Sequence, residues 1–213
     1  MKRTKKILAM LLCATLLVTG TVAVTVAYLT STTKVVNNTF TVGKVEITLD
    51  EADVTEYGVK ETDSRVIANK YKLIPGHNYL KDPTIHVGPT EASENVLLFV
   101  KVVNGLAGIE AATTIENQML AKGWEKLTGV ANVWYWTGDS DSSKVTEIPV
   151  AVADDKDVVV FDEFTLKSDA KVEGYAAASI TIEAYGVQAD GFENKTATEV
   201  WGLAPLTTWV SSN

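Results

Sequence analysis

Apolar and polar side chains alternate with a period of two in several segments of this chain. In residues 44–50, Val45, Ile47 and Leu49 share one face, while Thr and charged side chains take the other. This period predicts a β-strand with one buried face, because successive side chains of a strand point to opposite sides. The other candidate strands are the almost continuous apolar run 96–103, residues 157–166, and residues 175–186 with Ala176, Ala178, Ile180, Ile182 and Ala184 on one face.

Turn-forming sequences separate these segments, and helical spacing is rare. The turn sequences are Pro75-Gly76-His77-Asn78, Asp82-Pro83, Gly88-Pro89, Thr137-Gly138-Asp139-Ser140-Asp141 and Ala189-Asp190-Gly191. Two short helices are expected, at 114–121 before Gly123 and at 196–203. Short strands punctuated in this way predict an all-β fold, a jelly-roll-like antiparallel β-sandwich with one or two short helices in its connections.

The N-terminus has the organisation of an export signal. Four basic residues precede an uncharged, mostly apolar run from Ile7 to Leu29, and small residues follow Gly20. We expect a signal peptide over residues 1–27, with cleavage near Ala27 and Tyr28. Two alternatives stay open. The run is long enough to remain as a membrane anchor, and Cys13 suggests a lipoprotein, although Leu12 stands where that processing prefers a small residue.

Composition limits how the exported chain can be stabilised and which partners it can bind. Its one cysteine lies inside the predicted signal, so the mature protein has no disulfide and depends on burial for its stability. The 46% hydrophobic content supports a packed core. Without the signal, 15 basic residues face 27 acidic ones, a net charge of −12, which disfavours nucleic acid as a partner.

The sequence is poor in catalytic chemistry. His77 and His86 are its two histidines, the mature part has no cysteine nucleophile, and no hydrolase, zinc-helix or nucleotide-binding motif occurs. We expect no catalytic residues, no metal and no cofactor, hence no enzyme. His77 is expected to be an exposed turn residue and His86 a structural residue on the strand face opposite Ile85 and Val87.

Two binding sites remain conceivable from residue types. Calcium suits the acidic groups at Asp139 and Asp141 or at 154–157, although their spacing does not match an EF-hand. A sugar-stacking face is suggested by Trp134 and Trp136. Alternation puts these two rings on one side of a strand and Tyr135 on the other, which favours packing in the core.

Several stretches resemble the TasA/camelysin family of exported matrix proteins of Gram-positive bacteria, whose signals are cut by a SipW-type signal peptidase. They are Ala27-Tyr28-Leu29-Thr30, Asn38-Thr39-Phe40-Thr41-Val42-Gly43, Lys72-Leu73-Ile74-Pro75-Gly76, Lys81-Asp82-Pro83-Thr84, Phe99-Val100-Lys101-Val102 and Ala184-Tyr185-Gly186-Val187-Gln188-Ala189-Asp190-Gly191. The resemblance implies a secreted jelly-roll subunit that polymerises into biofilm matrix fibres. In such fibres the N-terminal segment of one subunit completes the sheet of the next.

The residues after the signal suit that mechanism. Residues 28–43 are β-prone and carry one charge, Lys34, so we expect an extended donor segment followed by a jelly-roll domain over 44–213. Val36, Phe40 and Val42 are expected to fill grooves of the acceptor while the backbone adds hydrogen bonds to an open edge. Removal of the signal would free this strand from the membrane, which makes processing a natural trigger for assembly.

The expected partners are other copies of the chain, the SipW-type peptidase, and other matrix proteins or the cell wall. The expected location is secreted, in the extracellular matrix or at the cell surface. Two other functional classes are a cell-surface binding or adhesion module and a metallopeptidase like that described for camelysin.

Overall fold

A computed structural model describes residues 44–88, 94–138, 144–148, 156–203 and, for the backbone only, 210–212. These residues belong to one compact unit, Val42–Asn213. Their strands are β1 (Ile47–Val54), β2 (Lys60–Val66), β3 (Asn78–Leu80), β4 (Thr84–Val87), β5 (Val96–Asn104), β6 (Trp124–Lys126), β7 (Val133–Trp136), β8 (Lys156–Val159), β9 (Glu163–Thr165), β10 (Ile180–Gln188) and β11 (Val210–Ser212).

The fold is an all-β antiparallel sandwich, as the alternation predicts. One sheet has the strand order β2-β1-β4-β8, and the facing sheet has the order β11-β10-β5-β7-β6. The short pair β3-β9 lies apart from both. All strand pairs among the described residues are antiparallel, and both large sheets join strands distant in the chain, such as β4 with β8 and β5 with β10.

The main hydrophobic core lies between the two large sheets. Leu49, Ile85 and Val87 face it from the four-stranded sheet, while Leu98 and Ile182 face it from the five-stranded sheet. All five side chains are buried. Burial of aliphatic side chains at about 1.5–3 kcal/mol each is the main favourable term for a chain without disulfides.

A second apolar cluster covers the outer face of the five-stranded sheet. Leu97 and Phe99 project from β5 on this side, and Trp201 lies against Phe99 with ring centroids 5.2 Å apart. β5 is therefore buried on both faces along most of its length, which explains why its sequence is an almost continuous apolar run instead of an alternating one.

Two helices, α1 (Ile115–Ala121) and α2 (Ala197–Leu203), form where helical spacing predicts them. Thr114 caps α1 by accepting a hydrogen bond from the Asn117 amide at 3.2 Å. Gly123 follows that helix with a φ of +81°, the left-handed conformation that commonly ends helices. At α2, Thr196 and Glu199 bond each other reciprocally as a capping box.

Two predicted strands differ in the structure. Residues 157–166 form two strands, β8 and β9, in different sheets, because the chain turns at 160–162, where Val160 and Phe161 are buried in the main core. The predicted strand 175–186 begins only at Ile180. Ala176 and Ala178 are exposed, and a 3₁₀ turn over Val172–Tyr175 precedes them. Small alanine side chains carry little apolar area, so their alternation was a weak signal.

Candidate functional site

A cavity of about 480 Å³ opens at one end of the sandwich. The segment after β2, the 3₁₀ turn and the start of β10 form its walls, and β1 and β9 reach its interior. Its apolar wall residues include Leu73, Leu106, Phe164, Val172 and Ile180. We refer to this cavity as the end groove.

The floor of the end groove is charged. Glu51 of β1 is 0% exposed and Lys81, just after β3, is 7% exposed, and their side chains form a buried ion pair. The Asn69 amide donates to Glu51 Oε1 at 2.9 Å and to the Ala52 carbonyl at 2.8 Å. Removal of one partner of such a pair would leave an uncompensated buried charge, which is strongly destabilising.

Aromatic rings hold the floor in place. Tyr79 stacks on Phe164 with centroids 4.7 Å apart, and Tyr71 meets both rings edge-on. The Tyr71 hydroxyl donates to the Leu80 carbonyl at 3.0 Å. Burial, and then the negative charges of Glu51 and Asp82, raise the pKa of Tyr71 well above its usual value, so its hydroxyl stays protonated. The groove is thus built on a rigid aromatic support.

Exposed apolar side chains are concentrated around the same end. Among the described residues, four of the seven large exposed hydrophobic side chains lie in or beside the β1–β2 hairpin and the chain that follows it. These four are Tyr57, Val59, Ile67 and Ile74. Val59 is 61% exposed and Ile67 is 66% exposed. Apolar surface next to an apolar groove is typical of a surface that contacts another molecule.

The described chain begins at the opposite end of the sandwich. The Lys44 carbonyl accepts a hydrogen bond from the Glu94 amide, and Val45 and Ile47 lie against Gly186 near the end of β10. A Cβ at Gly186 would come within 2.9 Å of Val45, so the two sheets need glycine here. Glu51 lies seven residues further along the same extended chain, about 23 Å away at the rise of a strand.

A separate charged cluster lies on the outer face of the four-stranded sheet. His86 of β4 contacts Asp50 of β1 at 2.9 Å and Asp157 of β8 at 2.5 Å, so one imidazole links three strands. Arg65 pairs with Asp50 and contacts Asp82 at 3.1 Å. Burial lowers the pKa of His86, but hydrogen bonds and charge from Asp50 and Asp157 outweigh it, so the pKa lies above its usual value.

The raised pKa of His86 predicts that the stability of the fold depends on pH. Because the folded-state pKa of His86 is raised, its stabilisation is complete below the unfolded-state value of about 6.5 and is lost as pH rises through the folded-state value. His86→Gln should lower the free energy of unfolding by about 1 kcal/mol at pH 6, since the pairs are partly exposed, and by less at pH 9. Thermal melts across this range, with His77→Gln as control, measure the effect. If His86→Gln lowered the free energy of unfolding by the same amount at pH 6 and pH 9, the predicted role of the His86 charge would be contradicted.

The structure places several predicted residues as expected. His86 does lie on the face opposite Ile85 and Val87. Trp134 is buried in the main core and Tyr135 in the second cluster, so the rings alternate across β7 as predicted. Trp134 is 4% exposed, with the Lys126 ammonium 5.2 Å from its ring centroid, so it offers no open face for a sugar. The prediction for His77 was wrong: it is half-buried and not an exposed turn residue, because its ring lies edge-on to Tyr79 and its Nε2 lies 2.9 Å from the Tyr57 carbonyl oxygen.

Other predicted residues lie outside the described ranges. They are Ala27 and Tyr28 of the cleavage region, Val36, Phe40 and Val42 of the assembly strand, and Asp139, Asp141, Asp154 and Asp155 of the calcium alternative. Within the described residues, no group of three or more His, Cys, Asp or Glu side chains is arranged to hold a metal ion. Among the same residues, no helix has the length and apolar character needed to cross a membrane.

The end groove was not anticipated from the sequence. The signal that would have revealed it is Glu51, which continues the inward face of Val45, Ile47 and Leu49 by alternation. A carboxylate at the inward position of a strand requires a buried partner, and here that partner is Lys81. Comparisons with protein-family models, with curated proteins and with solved structures find no match.

Proposed function

We propose that the protein is an exported structural subunit that assembles head to tail into extracellular fibres, with the N-terminal segment of one copy bound in the end groove of the next. The observation that carries this proposal is the placement of the two ends. The described chain begins at Lys44 on one end of the sandwich, and the groove opens at the other. A contact between unlike surfaces that does not close on itself produces a filament.

The groove suits an apolar, extended segment. Leu73, Phe164 and Ile180 line its walls, and Phe40 is the largest apolar side chain between the predicted cleavage region and β1. Val36 and Val42 share its face in an extended chain. Burial of one Phe side chain contributes about 1.5–3 kcal/mol, and the contribution recurs at every joint of a polymer.

The resemblance to exported matrix proteins supports the same proposal, as do the signal-like N-terminus and the acidic, cysteine-free composition after it. Residues 28–43 span up to about 53 Å when fully extended. That length also permits the segment to fold back into the groove of its own chain. An experiment must therefore distinguish binding between two copies from binding within one copy.

Engineered disulfides separate these cases, since the mature chain has no cysteine of its own. Thr39→Cys places a thiol beside Phe40, and Ala178→Cys places one at the exposed mouth of the groove. The variant with both changes should form a ladder of linked oligomers on mild oxidation, visible by non-reducing electrophoresis. Each single variant should form dimers at most.

A matched control combines Thr39→Cys with Leu120→Cys, an exposed position on α1 away from the groove. It should show no ladder above the level of random collision. A single linked monomer of altered mobility in the Thr39→Cys, Ala178→Cys variant would show that the segment folds back on its own groove. Equal ladders in both double variants would show that the groove takes no part in the contact between copies.

A further inference from the structure

The hydrogen-bonding capacity of the groove floor is used except at one group. The Asn69 amide nitrogen donates to Glu51 and to the Ala52 carbonyl, and its oxygen accepts from the Val54 amide at 3.1 Å. The Tyr71 hydroxyl donates to the Leu80 carbonyl. These side chains have no remaining donor for a ligand.

Lys81 is the exception. Its ammonium group has three N–H donors, and among the described residues it has one hydrogen-bond acceptor, Oε2 of Glu51. The Tyr71 ring lies with its centroid 5.8 Å from Nζ, and the Lys81 main-chain amide bonds the Asp162 carbonyl at 3.1 Å. The side chain is 7% exposed and lines the groove, so two buried donors face a cavity large enough to hold a ligand.

The charge balance narrows the ligand class. Glu51 already neutralises Lys81, so an anion in contact with the floor would leave an excess buried negative charge there. Lys70, the other cation that lines the groove, is exposed, so water screens its charge and it compensates such an anion only weakly. A wholly apolar ligand would displace water from the two N–H donors without replacing its hydrogen bonds, at a cost of the order of 1–3 kcal/mol. A neutral oxygen acceptor between apolar neighbours satisfies both conditions.

We propose that the end groove recognises an extended peptide through a side-chain amide oxygen that accepts a hydrogen bond from Lys81 Nζ, and that Asn38 of a second copy supplies this oxygen. This proposal rests on the proposed function. In an extended chain Asn38 shares a face with Val36 and Phe40, so the inward face presents one amide between apolar side chains.

The contact would fix the register of the joint. A shift by two residues would place the side chain of Val36 or Phe40 against Lys81 and leave the Asn38 amide against the apolar wall. A buried polar pair at one position of an apolar interface is a known means of specifying register. Lys81 is thus a specificity determinant, while the apolar walls supply the affinity.

Peptide binding tests the proposal. A fluorescent peptide with the sequence of residues 28–43 is titrated against the mature protein, held below the concentration at which it sediments, and fluorescence polarisation gives Kd. The peptide with Asn38→Leu should bind at least about tenfold more weakly. The double variant Lys81→Met, Glu51→Gln keeps the floor of the groove neutral. This variant should bind the wild-type and Asn38→Leu peptides with equal affinity. Circular dichroism melts check that this variant is folded.

The outcomes separate the two proposals. Equal binding of the wild-type and Asn38→Leu peptides to the unmodified protein would overturn the role of Lys81 and leave the fibre joint intact. Tighter binding of an Asn38→Asp peptide would also overturn it, since the site would then be selective for an anion. No binding of the wild-type peptide at any concentration would contradict the fibre joint itself, and the proposal that depends on it.

Discussion

Phe40→Asp is expected to abolish fibre elongation. The substitution removes the apolar side chain proposed to anchor each joint, worth about 1.5–3 kcal/mol per contact, and puts an unpaired carboxylate against walls formed by Leu73, Phe164 and Ile180. Together these effects reduce the association constant by several orders of magnitude at every joint. The measurement is the sedimenting fraction of the mature protein at matched concentration.

Lys34→Ala is the matched control, since Lys34 is the one charged residue of the donor segment and is expected to stay in solvent. It should leave the sedimenting fraction nearly unchanged. An equal loss of fibres in both variants, or in neither, would show that Phe40 does not anchor the joint. If Phe40 instead begins the subunit's own first strand, Phe40→Asp would also lower the Tm of the monomer.

Gly123→Ala is expected to destabilise the domain by more than about 3 kcal/mol. A Cβ at this position would lie 1.8 Å from the Gly138 carbonyl oxygen, and the φ of +81° is costly for any side chain. The backbone cannot move away freely, because the Gly123 carbonyl accepts hydrogen bonds from the Thr137 amide at 2.7 Å and the Thr137 hydroxyl at 2.9 Å. The next residue, Trp124, is fully buried in the main core. Urea unfolding measures the loss.

Gly129→Ala isolates the steric part of that effect. Gly129 has nearly the same φ, +82°, but a Cβ there would meet no atom within 4 Å. Its substitution should cost about 1–2 kcal/mol, the penalty of the left-handed conformation alone. Equal losses in the two variants would mean that the contact between Gly123 and Gly138 does not constrain the fold.

The sequence predicted the fold class because its signals are local. Alternation identified β1, and turn residues marked the ends of β3, β4, β7 and β10, since both depend on neighbouring residues. The run 96–103 is a predicted strand, but its burial on both faces depends on α2 and the Trp201 ring, about 100 residues away. The division of 157–166 into β8 and β9 has the same origin, because each half pairs with a different distant strand.

The groove was less predictable than the fold. Glu51 follows the predicted first strand, residues 44–50, so the predicted pattern stops one residue before its inward position. Its partner Lys81 is 30 residues away, and no local pattern connects them. The Asp50–His86–Asp157 link joins three strands and was equally invisible, although the face on which His86 lies was predicted correctly. Long-range polar pairs of this kind depend on strand register, which the sequence alone does not specify.

The most direct test of the fibre proposal compares the mature chain, Tyr28–Asn213, with a chain that starts at Phe40, by electron microscopy and sedimentation at the same concentration. The mature chain should form fibres. The second should remain a soluble, β-rich monomer, because it keeps the groove and lacks residues 28–39 of the donor segment. Fibres of normal yield from the shortened chain, or none from the mature chain, would contradict assembly by strand donation.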